Sequence, residues 1–226
     1  MTFNHLDILM QIAVFLFAIS VHESAHAWMA NRCGDPTARM LGRIILNPIK
    51  HIDPIGTVLL PAIAMATHLP VIGWAKPTPV DPSNFRNPVR DDILTSVVGP
   101  ISNFVIATGA VVLMLAISLT SEIGRVIVQS VANGYVVDTS SLLMPMVLLL
   151  YNAMLINILL GVFNLIPVPP LDGSHVLRHL LPEDVRRIYD AVGMFGFLLL
   201  FLAGGRFVWA LVRPVIGFAK AILTSV

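Results

Sequence analysis

The sequence predicts an all-α polytopic membrane protein with about five to six transmembrane helices and one short re-entrant or extended element around 54–80. Three observations carry that prediction. Of the 226 residues, 56% are hydrophobic and only 12% are charged, about half the charged share of an average soluble domain. Mean hydropathy is +0.83. The apolar residues also arrive in blocks, over 6–30, 54–72, 93–120, 142–166 and 188–224, several of them near the ~20 residues that cross a hydrocarbon core as helix.

The first block has no basic leader, carries Asp7 in its flank and lacks a small-residue cleavage site, so it reads as a retained transmembrane helix and not a secretory signal. The second is interrupted by Pro54, Pro61 and Pro70, none of which can donate a backbone hydrogen bond. It reads as an element that dips in and returns, although a pair of crossings fits the charge count equally well. The following "GWAKPTPVDPSNFRNP" holds prolines at 77, 79, 82 and 88, a density no helix survives. Non-helical backbone near a bilayer is tolerated only against protein or a wet cavity. Residues 73–80, with Gly73, Trp74, Lys76 and Pro77, are therefore a candidate wall of a site. The third and fourth blocks carry almost no ionisable groups. The last divides into two spans at "GGR" (204–206) or forms one long span with a tail.

Charge orients the chain. Segments 32–92 and 166–189 hold Arg32, Arg39, Arg43, Lys50, Lys76, Arg86, Arg90, Arg178, Arg186 and Arg187, whereas 1–7 and 120–140 hold only Arg125. If the two rich segments share a side, that side is cytoplasmic by the positive-inside rule. A net charge of +1 argues against a nucleic-acid partner. The lone Cys33 excludes an internal disulfide and a cysteine metal cage, and reads as a small apolar residue near a helix end.

One segment breaks the apolar pattern. "HESAH" places His22, Glu23 and His26 at the end of the first block, and Glu23 is one of only three glutamates. A carboxylate at membrane depth costs roughly 2.5–3.5 kcal/mol on insertion scales, so it needs a compensating interaction. On a helix, i and i+4 share a face one turn apart, and two imidazoles there can hold one Zn²⁺. Glu23 lies beside them, able to reach a metal-bound water without being a ligand. A catalytic zinc takes a third protein ligand. The candidates are His5, His51, Asp53, His68, Asp172, His175, His179 and the remaining acids. His5 is seventeen residues back, about 25 Å along a helix. Asp172 is the best placed, after the prolines at 167, 169 and 170, but an Asp there is equally an ordinary helix cap. His175 and His179 share the i, i+4 spacing without an adjacent Glu, and read as a soluble-face pair.

Together, "HESAH", "GPISN" (99–103) and "NLIPVPPLDG" (164–173) resemble the site-2 protease family, the intramembrane zinc metalloproteases of peptidase family M50. Within it the chain resembles the compact prokaryotic group without PDZ or CBS domains, over roughly 15–175. It departs from some members by starting directly at the motif helix, which bears on topology and not on chemistry. The resemblance implies one zinc per chain, held by His22, His26 and Asp172, with Glu23 as catalytic acid/base. It also implies a substrate or oxyanion role for Asn164 and Asn103, against which stands ordinary helix–helix hydrogen bonding in lipid. A single domain over 1–226 follows, with a catalytic core of about 6–180 and C-terminal helices of about 186–224. The implied partners are the lipid bilayer and a membrane-protein substrate with a transmembrane segment, cleaved within the cell membrane toward its cytoplasmic side. A zinc-binding transporter or sensor is the competing class. It would not need Glu23 beside the ligands and would show more polar residues along a pathway.

Overall fold

The computed structural model describes residues 3–59, 76–135 and 141–226, all of it helix, turn or irregular chain. The helices are α1 (Phe3–Cys33), α2 (Pro88–Thr120), α3 (Glu122–Ala132), α4 (Leu143–Asn164), α5 (Asp172–Leu180), α6 (Glu183–Ala203) and α7 (Gly205–Thr224), with a single helical turn at Thr37–Met40. Among the described residues four segments are long and apolar enough to cross a membrane: Asp7–Cys33, Pro88–Thr120, Leu143–Asn164 and Gly205–Thr224. This is a multi-pass membrane protein. The last apolar block is two helices, parted at Gly204 within the "GGR" sequence. Of the 54–72 stretch only Pro54–Leu59 is described, as a short π-helical segment, so its path through or along the membrane lies outside the described residues.

The chain forms two compact units. One comprises Met1–Ala18 and Pro100–Val226. Its core interleaves Met114 of α2, Ile127, Val128 and Val131 of α3, Met144, Val147, Met154 and Ile158 of α4, and Val212 and Leu223 of α7. In lipid this contact gains little from removal of apolar surface from water; close packing and a few interhelical hydrogen bonds hold it instead. Such bonds are present among the described residues. Asn103 Nδ2 donates to Asn157 Oδ1 at 2.9 Å, with both residues fully buried. Asn152 Nδ2 donates to Asp7 Oδ1 at 2.7 Å, while Gln11 donates to Asp7 Oδ2 at 2.8 Å. Helix α3 lies in the 120–140 stretch between two apolar blocks, where Arg125 is the one basic residue. The Ser121 hydroxyl caps it by accepting from the Gly124 amide, and Gly124, Ile127, Val128, Val131 and Ala132 bury one face at helical spacing.

The other unit is Ile19–Gly99. Here α1 ends at Gly34, whose φ of +116° suits glycine and whose Cβ, if present, would stand 2.8 Å from the Asn84 carbonyl oxygen. The next residue ties the unit together. Asp35 is fully buried and accepts four hydrogen bonds, from the Thr37 amide and hydroxyl, the Asp81 amide and the Asn84 side chain. The Arg86 amide closes the same corner on the Cys33 carbonyl, and Phe85 and Val80 pack on Ala30 and Cys33. Residues 76–87 are thereby strapped to the end of α1. Helix α2 opens with Pro88 at its first position, and Asp91 accepts from the Asn87 amide at 2.8 Å.

Burial pushes the Asp35 carboxyl up, but the hydrogen bonds, led by the Thr37 hydroxyl, outweigh it and hold it below the ordinary carboxylate range. Folded protein therefore binds this proton more weakly than unfolded chain. The stabilisation is complete above the unfolded value near ~3.9 and is lost as pH falls through the lower folded value. Asp35→Asn should destabilise the protein by about 2 kcal/mol at neutral pH, because charge-assisted bonds are lost and an amide N–H faces donors. Thermal unfolding in detergent at pH 7 and pH 3 checks this, with the difference between wild type and variant shrinking at the lower pH.

Candidate metal centre and proton-transfer site

The pattern H-E-x-x-H lies in the last three turns of α1, inside the Ile19–Gly99 unit. His22 and His26 are both 7% exposed, with their rings edge to face at a centroid distance of 4.6 Å. Their Nε2 atoms converge to 3.0 Å. The ring of His26 is fixed from behind, since its Nδ1 lies 2.6 Å from the Thr95 carbonyl oxygen. A carbonyl only accepts, so Nδ1 carries the proton and Nε2 presents its lone pair toward His22. That is the arrangement of a ligating imidazole with its outer nitrogen hydrogen-bonded.

Space for an ion at that point comes from Gly99, the glycine of "GPISN". A Cβ there would stand 2.3 Å from His26 Nε2, 2.6 Å from His26 Cε1 and 2.7 Å from His22 Cε1. Only a residue without a side chain leaves the front of both rings open. The donor set and the cradle fit a zinc ion.

Glu23 points to a different neighbour. Its Oε2 accepts from the Thr78 amide at 2.9 Å and lies 2.7 Å from the Thr78 hydroxyl, while its backbone carbonyl is 3.0 Å from the same hydroxyl. The segment carrying Thr78 is tied at both ends, by the Lys76 amide on the His51 carbonyl at 2.9 Å and the Asp81 amide on Asp35 Oδ2 at 2.8 Å. Lys76 and Pro77 are exposed. Gly73 and Trp74 lie outside the described residues.

The remaining ligand candidates divide as follows. His51 is buried with Nε2 2.8 Å from the Ile45 carbonyl, and Asp53 accepts from the Gly56 amide at 2.7 Å. His68 and the side chain of His5 lie outside the described residues. Asp172 belongs to the other unit and is the first residue of α5; Leu171 occupies the N-cap position and no side chain caps there. Gly173 beside Asp172 permits tight packing, since a Cβ would meet the Leu165 carbonyl oxygen at 2.2 Å. Asn164, the last residue of α4, uses one N–H on the Leu160 carbonyl at 3.0 Å. Asn103 makes the helix–helix bond to Asn157. Sequence reading included Thr78 in the 73–80 wall without singling it out, and missed Thr95 and Asn157. Thr78 carried a signal, a hydroxyl between two prolines; Thr95 acts through its backbone, which no side chain announces.

The family model described as "Peptidase family M50" matches residues 10–203. "Putative zinc metalloprotease YwhC" of Bacillus subtilis is 32% identical over 188 residues, covering 83% of this chain and 76% of that protein. "Putative zinc metalloprotease Rip2" of Mycolicibacterium smegmatis is 28% identical over 190 residues, covering 84% of this chain and 64% of that protein. Its namesake from Mycobacterium tuberculosis strain H37Rv is 30% identical over 199 residues, covering 86% and 67%. No solved structure matches the chain.

Gly99→Ala should push the two imidazoles apart while leaving the helix intact, because alanine is the better helix former. Elemental analysis of the purified variant should show bound metal reduced at least about tenfold at limiting supply, the loss expected when ligand geometry is disturbed.

Proposed function

The chain belongs to Peptidase family M50, and from that premise we propose that it is a zinc metalloprotease cleaving peptide bonds in or near the transmembrane segments of membrane proteins. The observation that carries this reading is the pair of imidazole nitrogens converging to 3.0 Å in the front of Gly99, one residue away from a glutamate held on a separate strap. His22, His26 and Asp172 would hold one zinc per chain, within a single domain over 1–226. Bound there, zinc supplies a Lewis acid that acidifies water and polarises a carbonyl.

The protein's own groups do the rest. Glu23 accepts a proton from the attacking water and returns it to the leaving nitrogen, one carboxyl serving as base and then as acid. Asn164, at the end of α4, is the proposed amide donor to the substrate backbone or the developing oxyanion, and Asn103 the more remote candidate for that role. Positive charge concentrated in 32–92 and 166–189 supports a cytoplasmic setting for the catalytic end of α1 in the cell membrane.

A transmembrane substrate hides its carbonyls in helical hydrogen bonds and must unwind before attack. Segment 76–79 is suited to take the unwound chain. The amides of Lys76 and Thr78 point into the protein, on the His51 carbonyl and Glu23, while Pro77 and Pro79 have none. An incoming strand therefore meets carbonyl oxygens only. It is held by its own N–H groups, and its carbonyls stay available for reaction.

Glu23→Gln tests the reading directly. The purified variant should retain one zinc per chain and lose cleavage of single-span membrane substrates by at least about 100-fold. Wild type that binds zinc and cleaves nothing would favour transport or sensing, and wild type without zinc would end the proposal.

A further inference from the structure

Thr78 places two donors, its amide and its hydroxyl, within 2.9 Å of a single oxygen of Glu23. The hydroxyl has one proton and lies nearer the carboxylate, at 2.7 Å, than the Glu23 backbone oxygen, at 3.0 Å. Oε2 is thus doubly bonded by one residue, and Oε1 meets no hydrogen-bond donor among the described residues. A glutamate side chain has several rotatable bonds, and ordering it costs up to about 2 kcal/mol of rotamer entropy. Here the ordering precedes any substrate.

The frame behind Thr78 is rigid for identifiable reasons. Prolines on both sides fix φ at 77 and 79 and press Lys76 and Thr78 into extended backbone. The segment is anchored on the His51 carbonyl at one end and on buried Asp35 at the other. Motion of the glutamate relative to α1 is therefore restrained from outside its own helix.

We propose that Thr78 is the positioning residue of Glu23, holding Oε2 so that Oε1 is the oxygen that takes and returns the proton. The inference rests on the protease reading for its consequence, but its contact can be tested without catalysis. The chain has three glutamates, Glu23, Glu122 and Glu183. Protein labelled with ¹³C at the glutamate carboxyl carbon, in detergent micelles, should give three resonances, with Glu23 assigned by its loss in Glu23→Gln.

Thr78→Val, which keeps the amide and removes the hydroxyl, should shift and sharpen the Glu23 resonance while Glu122 and Glu183 stay in place and zinc content holds. Thr78→Ser should restore the wild-type position. With fluorescently labelled unfolded casein as the peptide substrate, Thr78→Val should lower kcat about 10- to 100-fold at unchanged KM, the effect of a misplaced catalytic group, and Thr78→Ser should recover it. An unmoved Glu23 resonance in Thr78→Val, or a Thr78→Ser variant as altered as Thr78→Val, would overturn the assignment. If Glu23→Gln cleaves casein as well as wild type, the protease reading fails while the resonance shift still decides the contact. If wild type leaves casein intact, the resonances alone decide.

Discussion

The hydrogen bond from His26 Nδ1 to the Thr95 carbonyl is the constraint on which the site depends. It joins α1 to α2 within the Ile19–Gly99 unit, puts the His26 proton on Nδ1, and turns Nε2 toward Nε2 of His22. Two imidazole nitrogens at 3.0 Å share a proton or a cation. The helix alone brings the rings to one face; the carbonyl decides which nitrogen faces inward. One turn along α2 from Thr95, Gly99 leaves the space in front of the rings. A metal-ready pair is thus made by one backbone acceptor and one missing side chain, both on the helix opposite the motif.

The same unit solves a second problem, keeping a carboxylate beside that pair without letting it occupy the ligand position. Glu23 is drawn toward Thr78, on a segment that has no regular secondary structure to hold it. Prolines supply local stiffness, and Asp35 supplies attachment through buried, charge-assisted hydrogen bonds. The Lys76, Thr78 and Asp81 amides of this irregular chain are satisfied by protein acceptors, as membrane proximity requires.

Much of this was legible in the residues. His22, Glu23 and His26 are contiguous, and i, i+4 spacing is a local property that any helix realises. The spans of α2 and α4 followed from apolar runs, and the parting of α6 from α7 fell at the glycine pair. Helix α3 escaped notice because it is short and amphipathic, with a polar face that breaks the hydropathy run. Asn103 was visible as a polar residue in an apolar block, but its partner Asn157 is fifty-four positions away, and nothing local links the two. Asp35, Thr78 and Thr95 act through contacts between distant segments or through backbone atoms, which periodicity and spacing do not encode. Asp172 stood out by its proline-rich approach and by family resemblance, two arguments that lie outside the geometry of the Ile19–Gly99 unit.

The central claim is that His22, His26 and Asp172 share one zinc, and X-ray absorption at the zinc edge tests it most directly. The account predicts one zinc per chain with scattering from two imidazoles at about 2.0–2.1 Å and from a carboxylate oxygen, the oxygen contribution changing in Asp172→Asn while the imidazole contribution stays. A wild-type spectrum without imidazole scattering, or one that Asp172→Asn leaves unaltered, would contradict it.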